Sequence, residues 1–331
     1  MSAVQLPPPH PRRGCLRFII RLIRWPVLLA LTLAAAGYIF EAGAARGDQQ
    51  RYPPLGEHLI IEGREIHIYC VGNGSPTVIL EAGAGGFSLS WQRVQPGVSH
   101  LTRVCSYDRA GMGWSQPSPG PRTPQQIVTE LRALLAKAEI EPPYILVGHG
   151  LGGRYALTFA ALHPDEIGGL ILLDAAHLPL ESAGAGWLHN WEWMGTAARF
   201  GVARLFGPEI AARLAPDTAD MPPEMLREML VLTYKPWHLE VAADEMKAAP
   251  AADDLLNGLT TLGDLPLVVI APERLPETAA GDWQAAYAAT TALSTRGHLV
   301  VAENSGALIP YARPDLVSSV IRQVVELVRR S

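Results

Sequence analysis

The stretch YILVGHGLGG, Tyr144–Gly153, is the clearest indication of the fold of this chain. Its first four residues form a short apolar run of the length and composition typical of a buried β-strand. The small residues Gly148–Gly153 then allow a sharp turn, and an apolar helical pattern continues through Ala161. A strand, a tight turn and a helix in this order predict one repeating unit of a parallel α/β sheet.

The same alternation of strand and helix extends along most of the chain. Thr123 is positioned to cap an amphipathic helix, and residues 316–329 form another. Strand-like runs include HLIIEG (58–63), REIHIYCVG (64–72), TVILEAG (77–83), RVCSYDRAG (103–111), GLILLDAAH (169–177), LPLVVIAP (265–272) and HLVVAENSG (298–306). Because these runs are nearly continuous in apolar residues, we expect a mostly parallel sheet that is covered by helices on both faces.

Residues 178–262 interrupt this alternation, since they carry short helical patterns and no strand. We expect this insertion to form a helical lid over the carboxyl edge of the sheet, where open α/β sheets bind their ligands. Its tryptophans are Trp187, Trp191, Trp193 and Trp237. They are candidates for the ligand pocket, although tryptophans also pack the cores of helical subdomains.

Several motifs in a fixed order give the chain a recognisable pattern. They are LEAGAGG (80–86), YDRAGMGWS (107–115), GHGLGG (148–153), LLDAAH (172–177) and NSGALI (304–309), followed by RPDLV (313–317). The turn at 148–153 is similar to the G-x-S-x-G nucleophile elbow. With these motifs the chain resembles the α/β-hydrolase fold family from about His58 to Arg329, and more closely a membrane-anchored bacterial branch of it. The resemblance implies a core made of residues 58–177 and 263–331.

The resemblance also assigns positions to the catalytic groups. The nucleophile position falls on Gly150, and the base histidine position falls on Ala307. Asp174 is the candidate acid, and the backbone N–H groups of Ala84 and Leu151 match the oxyanion hole. A serine hydrolase needs a hydroxyl beside an imidazole that a carboxylate orients. Neither glycine nor alanine supplies such a group.

Other residues are candidates for an alternative acid, base or nucleophile, or for a structural role. The commoner acid position offers Glu273 or Glu277. Among the histidines, His177 lies near the expected edge, His149 is expected to point away from the elbow residue, and His298 lies at the far end of its strand. Ser115 and Cys105 are more typical of structural positions than of nucleophiles. By the resemblance, Asp108 and Arg109 form a structural pair that braces the loops.

Two hypotheses for function follow. The first is a non-catalytic hydrolase-fold protein that binds a small apolar ligand or a partner through the retained pocket. The second is a hydrolase of ester, thioester or amide bonds that uses a non-standard nucleophile or base, with water activated near Asp174 or His177. We expect neither a cofactor nor a metal, since the three cysteines have no zinc-ligand spacing.

Charge and cysteine content limit the partners. Residues 1–24 carry five arginines and no acid, while the remaining chain carries 22 basic and 32 acidic groups. Phosphate backbones repel so acidic a body, and nucleic-acid binding is therefore not expected. A Cys70–Cys105 bridge is conceivable because the family order places their strands side by side. Two buried thiols are the preferred expectation.

Residues 1–45 combine a basic N-terminus with an apolar segment, and residues 46–57 form a linker. Trp25–Phe40 is a run of sixteen residues without a charge, short of the roughly 20 that span a bilayer. Flanking arginines can extend it, and their position predicts a single-pass anchor with a cytoplasmic N-terminus and an exported body. Three alternatives stay open. They are cleavage near Ala42–Ala44, which would secrete the protein, a twin-arginine signal at Arg12–Arg13, and an amphipathic helix packed on the body.

Overall fold

The structure, a computed structural model, describes residues 13–175, 194–206, 221–274 and 283–330. The strands are β1 Glu57–Ile61, β2 Arg64–Val71, β3 Thr77–Glu81, β4 Val104–Tyr107, β5 Tyr144–His149, β6 Ile167–Leu173, β7 Leu267–Pro272 and β8 Gly297–Ala302. The helices in the described residues are α1 Arg13–Arg51, α2 Gln95–Val98, α3 Pro124–Lys137, α4 Leu151–Leu162, α5 Pro223–Thr233, α6 Pro236–Ala248, α7 Asp253–Asn257, α8 Trp283–Thr291, α9 Ile309–Ala312 and α10 Pro314–Arg330. Short 3-10 helices cover Ser88–Trp91, Pro164–Glu166 and Ala249–Ala252.

The eight strands form one sheet in the order β1-β2-β4-β3-β5-β6-β7-β8. Strands β1, β2 and β4 pair antiparallel at one side, and every pair from β4 through β3 to β8 is parallel. The predicted α/β fold with a mostly parallel sheet is confirmed. Since parallel strands end at a common edge, the loops after β3, β5, β6, β7 and β8 all leave the sheet on one side.

Apolar side chains cover both faces of the sheet. In β3, Val78 and Leu80 pack into one core cluster and Ile79 into the other, as the two-residue alternation of a strand requires. Helix α10 buries five apolar residues at helical spacing, and they are Val317, Val320, Ile321, Val324 and Val325. Thr123 caps α3 as predicted, because its side chain accepts a hydrogen bond from the N–H of Gln126.

Cys70 and Cys105 form a disulfide bond, so the expectation of two buried thiols is wrong. The physical reason is the register of the antiparallel pair, which places Cys70 of β2 directly opposite Cys105 of β4. Directly opposite residues of antiparallel strands bring their Cβ atoms within bridging distance. Disulfides persist in oxidising compartments, and this bond is consistent with an exported body.

The described part of the insertion is helical and contacts the sheet edge through buried polar groups of α6. His238 accepts a hydrogen bond at Nδ1 from the N–H of Gly113 (3.1 Å) and donates from Nε2 to the carbonyl of Gly85 (2.8 Å). Lys235 Nζ donates to the carbonyl of Gly113 at 2.8 Å. Helix α6 is thereby fixed to the loops after β3 and β4. The boundaries 178–262 and the role of a lid stay predictions.

Removing the disulfide should destabilise the body. The bond joins residues 35 apart in sequence, and the lost loop closure corresponds to about 4 kcal/mol of unfolding free energy. We expect the Cys70→Ser/Cys105→Ser variant to show this loss in urea unfolding, and the wild type to show a similar loss under reducing conditions. Cys15→Ser is the matched control and should unfold like the wild type. Equal stability of the double variant would contradict the bond.

His238 should make stability fall in acid. Burial lowers the pKa of this imidazole from 6.5 to about 4. Between these values the unfolded chain binds a proton that the folded chain excludes, so the free energy of unfolding decreases as pH falls from about 6.5 toward 4, by up to about 3 kcal/mol. Urea unfolding at pH 7 and pH 4.5 measures this. The glutamine in His238→Gln can still donate to Gly85 but does not titrate. Between pH 7 and pH 4.5 this variant should therefore lose less unfolding free energy than the wild type. Equal losses would contradict this role.

Candidate functional site

The elbow is present with glycine at its centre. Gly150 lies between β5 and α4 at φ +52° and ψ −119°, a backbone conformation that side-chain-bearing residues adopt only under strain. Its N–H donates to the carbonyl of Leu173 at 2.8 Å, which ties the turn to the end of β6. A Cβ placed on Gly150 would meet no atom within 4 Å. The position has the geometry of a nucleophile elbow and open space in place of a reacting side chain.

The base position lies next to the elbow. The carbonyl oxygen of Ala307 is 2.7 Å from Nε2 of His149, the residue that precedes Gly150. Because a carbonyl only accepts, Nε2 carries the proton and Nδ1 has the free lone pair. Burial lowers the pKa of His149, which keeps the ring neutral at pH 7. The ring of His149 thus contacts the loop that carries the base position, and its expected direction away from Gly150 stays a prediction.

The candidate acid lies on the neighbouring strand end. Asp174 follows β6 at φ +48°, and its N–H donates to the carbonyl of Ile270 on β7. Its Oδ1 accepts a hydrogen bond from the hydroxyl of Tyr287 on α8 at 2.5 Å. Burial and the Asp174 charge raise the pKa of Tyr287, so this hydroxyl remains a donor. Asp174 is thus a carboxylate held in place at the edge, and its role as an acid stays a prediction.

Glu273, the alternative acid, supports the base loop. Its Oε2 accepts from the N–H of Asn304 at 2.6 Å, and the next residue, Arg274, donates its N–H to the carbonyl of Ser305. These bonds fix the chain just before Ala307. Glu277 and His177, with Trp187, Trp191 and Trp193, lie outside the described residues.

Three N–H groups, two from Arg109 and one from His238, hold the loop that carries Ala84. Arg109 donates to the carbonyls of Ala82 (2.7 Å) and Gly83 (2.9 Å), and His238 donates to that of Gly85. Register places this loop beside the elbow, since Glu81 of β3 pairs with Gly148 of β5. The predicted oxyanion groups, Ala84 and Leu151, therefore lie in two loops at the same edge. Their function is untested and stays a prediction.

Arg109 is the centre of a buried ionic network. Its guanidinium lies 2.6 Å from Glu81 of β3 and 2.9 Å from Glu245 of α6. Both carboxylates are buried, and Tyr107 donates its hydroxyl to Glu81. Arg122 approaches Glu245 from a third direction at 3.5 Å. The network joins the sheet, the loop after β3 and the insertion in one place.

Asp108 braces the adjacent loops rather than pairing with Arg109. Its carboxylate accepts from the N–H groups of Ser88 and Trp114, each at 2.8 Å, and lies 3.1 Å from Nδ1 of His67. Burial alone would raise the pKa of Asp108, but the hydrogen bonds and charge of His67 outweigh it and lower that pKa. The carboxylate is therefore ionised, and the expected bracing role of Asp108 and Arg109 agrees with their contacts.

Sequence patterns identify neither His238 and Glu245 as residues of the site nor the bond from His149 to Ala307. His238 and Glu245 lie in the insertion, 153 residues from Gly85 and 136 from Arg109, and no motif links them to those partners. Of the four tryptophans proposed for the ligand pocket, Trp237 lies within the described residues. It is 39% exposed, and Lys235 Nζ lies 5.8 Å from its ring centroid. Its contact with a ligand stays a prediction. Within the described ranges no three His, Cys, Asp or Glu side chains are grouped to hold a metal.

A small cavity adjoins the base loop. Its volume is about 160 Å³, and its lining residues are Arg93, Met221, Arg274, Asn304, Gly306, Leu308, Tyr311 and Ala312. Arg93 is tied to this wall, since it donates to the carbonyl of Tyr311 at 2.7 Å.

Known proteins share this sequence pattern in part. YqjL of Bacillus subtilis is 28% identical over 255 residues, which cover 76% of this chain and 85% of that protein. The 2-hydroxymuconate semialdehyde hydrolase of a Pseudomonas species is 28% identical over 147 residues, 43% of this chain and 52% of that enzyme. A Schizosaccharomyces pombe protein is 36% identical over 116 residues, and this chain spans only 22% of its length.

Solved structures and a family model agree on the fold. A thermophilic esterase from Thermogutta terrifontis, with malate bound, superposes with a TM-score of 0.64 at 24% identity, over 80% of this chain and 94% of the esterase. The family model for the alpha/beta hydrolase fold matches residues 76–284. The chain belongs to the α/β-hydrolase fold family.

Proposed function

We propose that this chain is a membrane-anchored α/β-hydrolase-fold protein that binds a small apolar or ester-like molecule at the elbow and does not turn it over as a serine hydrolase. One observation carries the proposal. Gly150 has the backbone conformation of a nucleophile elbow, no side chain, and open space where that side chain would be.

Chemistry supports the loss of turnover. Covalent catalysis requires an oxygen or sulfur nucleophile with an adjacent base, and Gly150 and Ala307 provide neither. Ala307 contributes its backbone carbonyl, which accepts a hydrogen bond from His149. The contacts that hold the elbow and the base loop, such as Gly150 to Leu173 and Glu273 to Asn304, involve no serine side chain at position 150 and no histidine side chain at position 307.

The retained geometry supports ligand binding. Arg109 and His238 fix the carbonyls of the loop around Ala84, which leaves the N–H groups of Ala84 and Leu151 as preorganised donors for a carbonyl oxygen. The cavity of about 160 Å³ provides room beside the base loop, where Gly306 and Leu308 line it. Trp187, Trp191, Trp193, Trp237 and His177 are the proposed contacts from the lid side.

His149 supports a second candidate function, a hydrolase with a non-standard base. Its neutral ring presents an unprotonated Nδ1 beside the loop after β3, because Nε2 donates to Ala307. A Cβ placed on Gly83 would lie 3.1 Å from this Nδ1. In this hypothesis His149 takes a proton from water as that water attacks a bound ester. His149→Gln would then abolish ester hydrolysis by the wild type, whereas the non-catalytic protein has none to lose.

The membrane anchor is proposed from α1. Within its segment Leu22–Asp48, an 18-residue stretch has a mean hydropathy of 1.7, and only 6% of that stretch is buried against the body. The end of this segment is docked, because Arg204 makes two hydrogen bonds to Glu41 at 2.8 and 2.9 Å. A Cβ on Gly37 would lie only 2.3 Å from the carbonyl oxygen of Phe200, which explains the glycine. The arginines before the segment favour a cytoplasmic N-terminus, and the disulfide favours an exported body.

Carbonate extraction tests the anchor. We expect the full-length protein to stay with the membrane pellet at pH 11, because an apolar span is held by its hydrophobic area and not by charge. Protease added outside the inner membrane should digest the body and spare the N-terminus. Recovery of a wholly soluble species that begins near Ala45 would contradict the anchor and indicate a cleaved signal.

Restoring both missing groups tests the pocket. Gly150→Ser adds a hydroxyl without a base, and we expect almost no turnover of a short p-nitrophenyl ester. It should also lower stability by about 1–3 kcal/mol, since the Gly150 conformation strains residues with a Cβ. Adding Ala307→His should raise turnover about 10²–10⁴-fold over either single variant. Asp174→Asn in this background should reduce the gain.

Gly150→Ala is the matched control, because it carries the same strain and no hydroxyl. The Gly150→Ala/Ala307→His variant should therefore stay inactive and have a melting temperature close to that of the Ser variant. A folded Ser/His double variant that is no faster than the wild type would show that the loops do not hold catalytic geometry, and it would contradict the proposal of a retained pocket.

A further inference from the structure

A second and larger cavity lies away from the elbow. It has a volume of about 360 Å³ and is enclosed by the linker after α1, by β2, by the turn after β3 and by α5. Its lining residues are Pro53, Leu55, His67, Tyr69, Val71, Ser88, Leu89, Gln92, Gln95, Pro96, Ser99, Trp114 and Glu228. Volumes of this size are typical of small-molecule pockets.

This cavity is separate from the candidate active site. None of Gly150, Ala84, Asp174 or Ala307 lines it. It is also distinct from the cavity beside the base loop, since the two share no lining residue. Tyr311 stands between them, because it lines the smaller cavity and donates its hydroxyl to the carbonyl of Leu89, which lines the larger one.

Two buried polar groups in the wall have no hydrogen-bond partner among the described residues. They are the hydroxyl of Ser88, a residue only 6% exposed, and the side-chain N–H₂ of Gln92. Buried polar groups are nearly always paired in folded proteins, because an unpaired one loses its bonds to water without replacement. By contrast, Gln95 in the same wall is fully engaged, with bonds to two carbonyls and to Ser106. Ser88 and Gln92 are therefore available to a ligand.

The cavity also presents one uncompensated carboxylate. Glu228 of α5 lines it and makes no ion pair within the described part of the chain. The neighbouring cations are engaged elsewhere, since Arg227 pairs with Glu224 and Arg93 donates to Tyr311. His67, the other titratable group in the wall, lies between Asp108 and the carbonyl of Leu55, so its charge is balanced by Asp108. Burial raises the pKa of Glu228, in agreement with a carboxylate that lacks a counter-charge.

We propose that this cavity is a binding site for a small organic ammonium compound with an aromatic or apolar body and a terminal hydroxyl. The ammonium group donates to Glu228, whose negative charge it compensates. The body packs on Val71 and Leu89 and against the ring of Trp114. The hydroxyl oxygen accepts from the side-chain N–H₂ of Gln92 and pairs with the hydroxyl of Ser88. This site does not depend on the function proposed for the elbow.

Three probes that share a 4-hydroxyphenylethyl group test the charge preference. They are tyramine, 4-(2-hydroxyethyl)phenol and 3-(4-hydroxyphenyl)propanoate, which carry a cation, a neutral hydroxyl and an anion at the same end. Calorimetry on the full-length protein in detergent should show tyramine binding at least about tenfold tighter than the neutral alcohol, as expected for a charge-assisted hydrogen bond. The anion should not bind measurably.

Glu228→Gln should remove the preference for tyramine over 4-(2-hydroxyethyl)phenol and leave the affinity for this alcohol unchanged. Its melting temperature should equal or exceed that of the wild type, because an unpaired carboxylate is removed. Glu224→Gln on the same helix is the matched control, since its side chain is exposed, and it should preserve the preference. Gln92→Leu should weaken tyramine binding without changing the order of the probes. Equal affinities for amine and alcohol, no binding of any probe, or a preference that survives Glu228→Gln would each overturn the proposal.

Discussion

The buried guanidinium of Arg109 is the interaction on which the edge of the sheet depends. It contacts the carboxylates of Glu81 on β3 and Glu245 on α6, and donates to the carbonyls of Ala82 and Gly83. A buried cation is stable only when its charge is balanced and its donors are used, and removing one partner of such a group costs about 3–5 kcal/mol. The same contacts fix the loop after β3 and attach the insertion to it. The contacts of Arg109 therefore determine both the geometry of this loop and the stability of the fold, and they do so without any catalytic residue.

Because other contacts hold these loops, the site retains its geometry with glycine at position 150 and alanine at position 307. The elbow is held by the bond from Gly150 to Leu173, and glycine adopts its backbone conformation without the strain that serine would carry. The base loop is held by Glu273 and by the bond from His149 to the carbonyl of Ala307, which any residue at that position offers. Selection for catalysis is thus not required to maintain the pocket, and a binding role is compatible with every contact described at the edge.

Much of the fold follows from local sequence. Apolar runs such as Tyr144–Val147 and the helical spacing of α10 identify strands and helices, and the order of elements identifies the edge where Gly150, Asp174 and Ala307 meet. The bonded partners do not follow, because they depend on register and long-range packing. The Cys70–Cys105 bond needs the register of β2 on β4, and the partners of Arg109 and Gly85 come from an insertion without a motif. The bond from His149 to the carbonyl of Ala307 does not follow either, because the two residues lie 158 positions apart in the sequence.

We infer that the elbow keeps its geometry and holds no activated nucleophile. Labelling of the full-length wild type with a fluorophosphonate probe is the decisive measurement, because that reagent reacts only with an activated hydroxyl. We expect no labelled serine in the wild type, under conditions in which the Gly150→Ser/Ala307→His variant becomes labelled at position 150. Stoichiometric labelling of any serine in the wild-type body would refute this inference and would identify a nucleophile at another position.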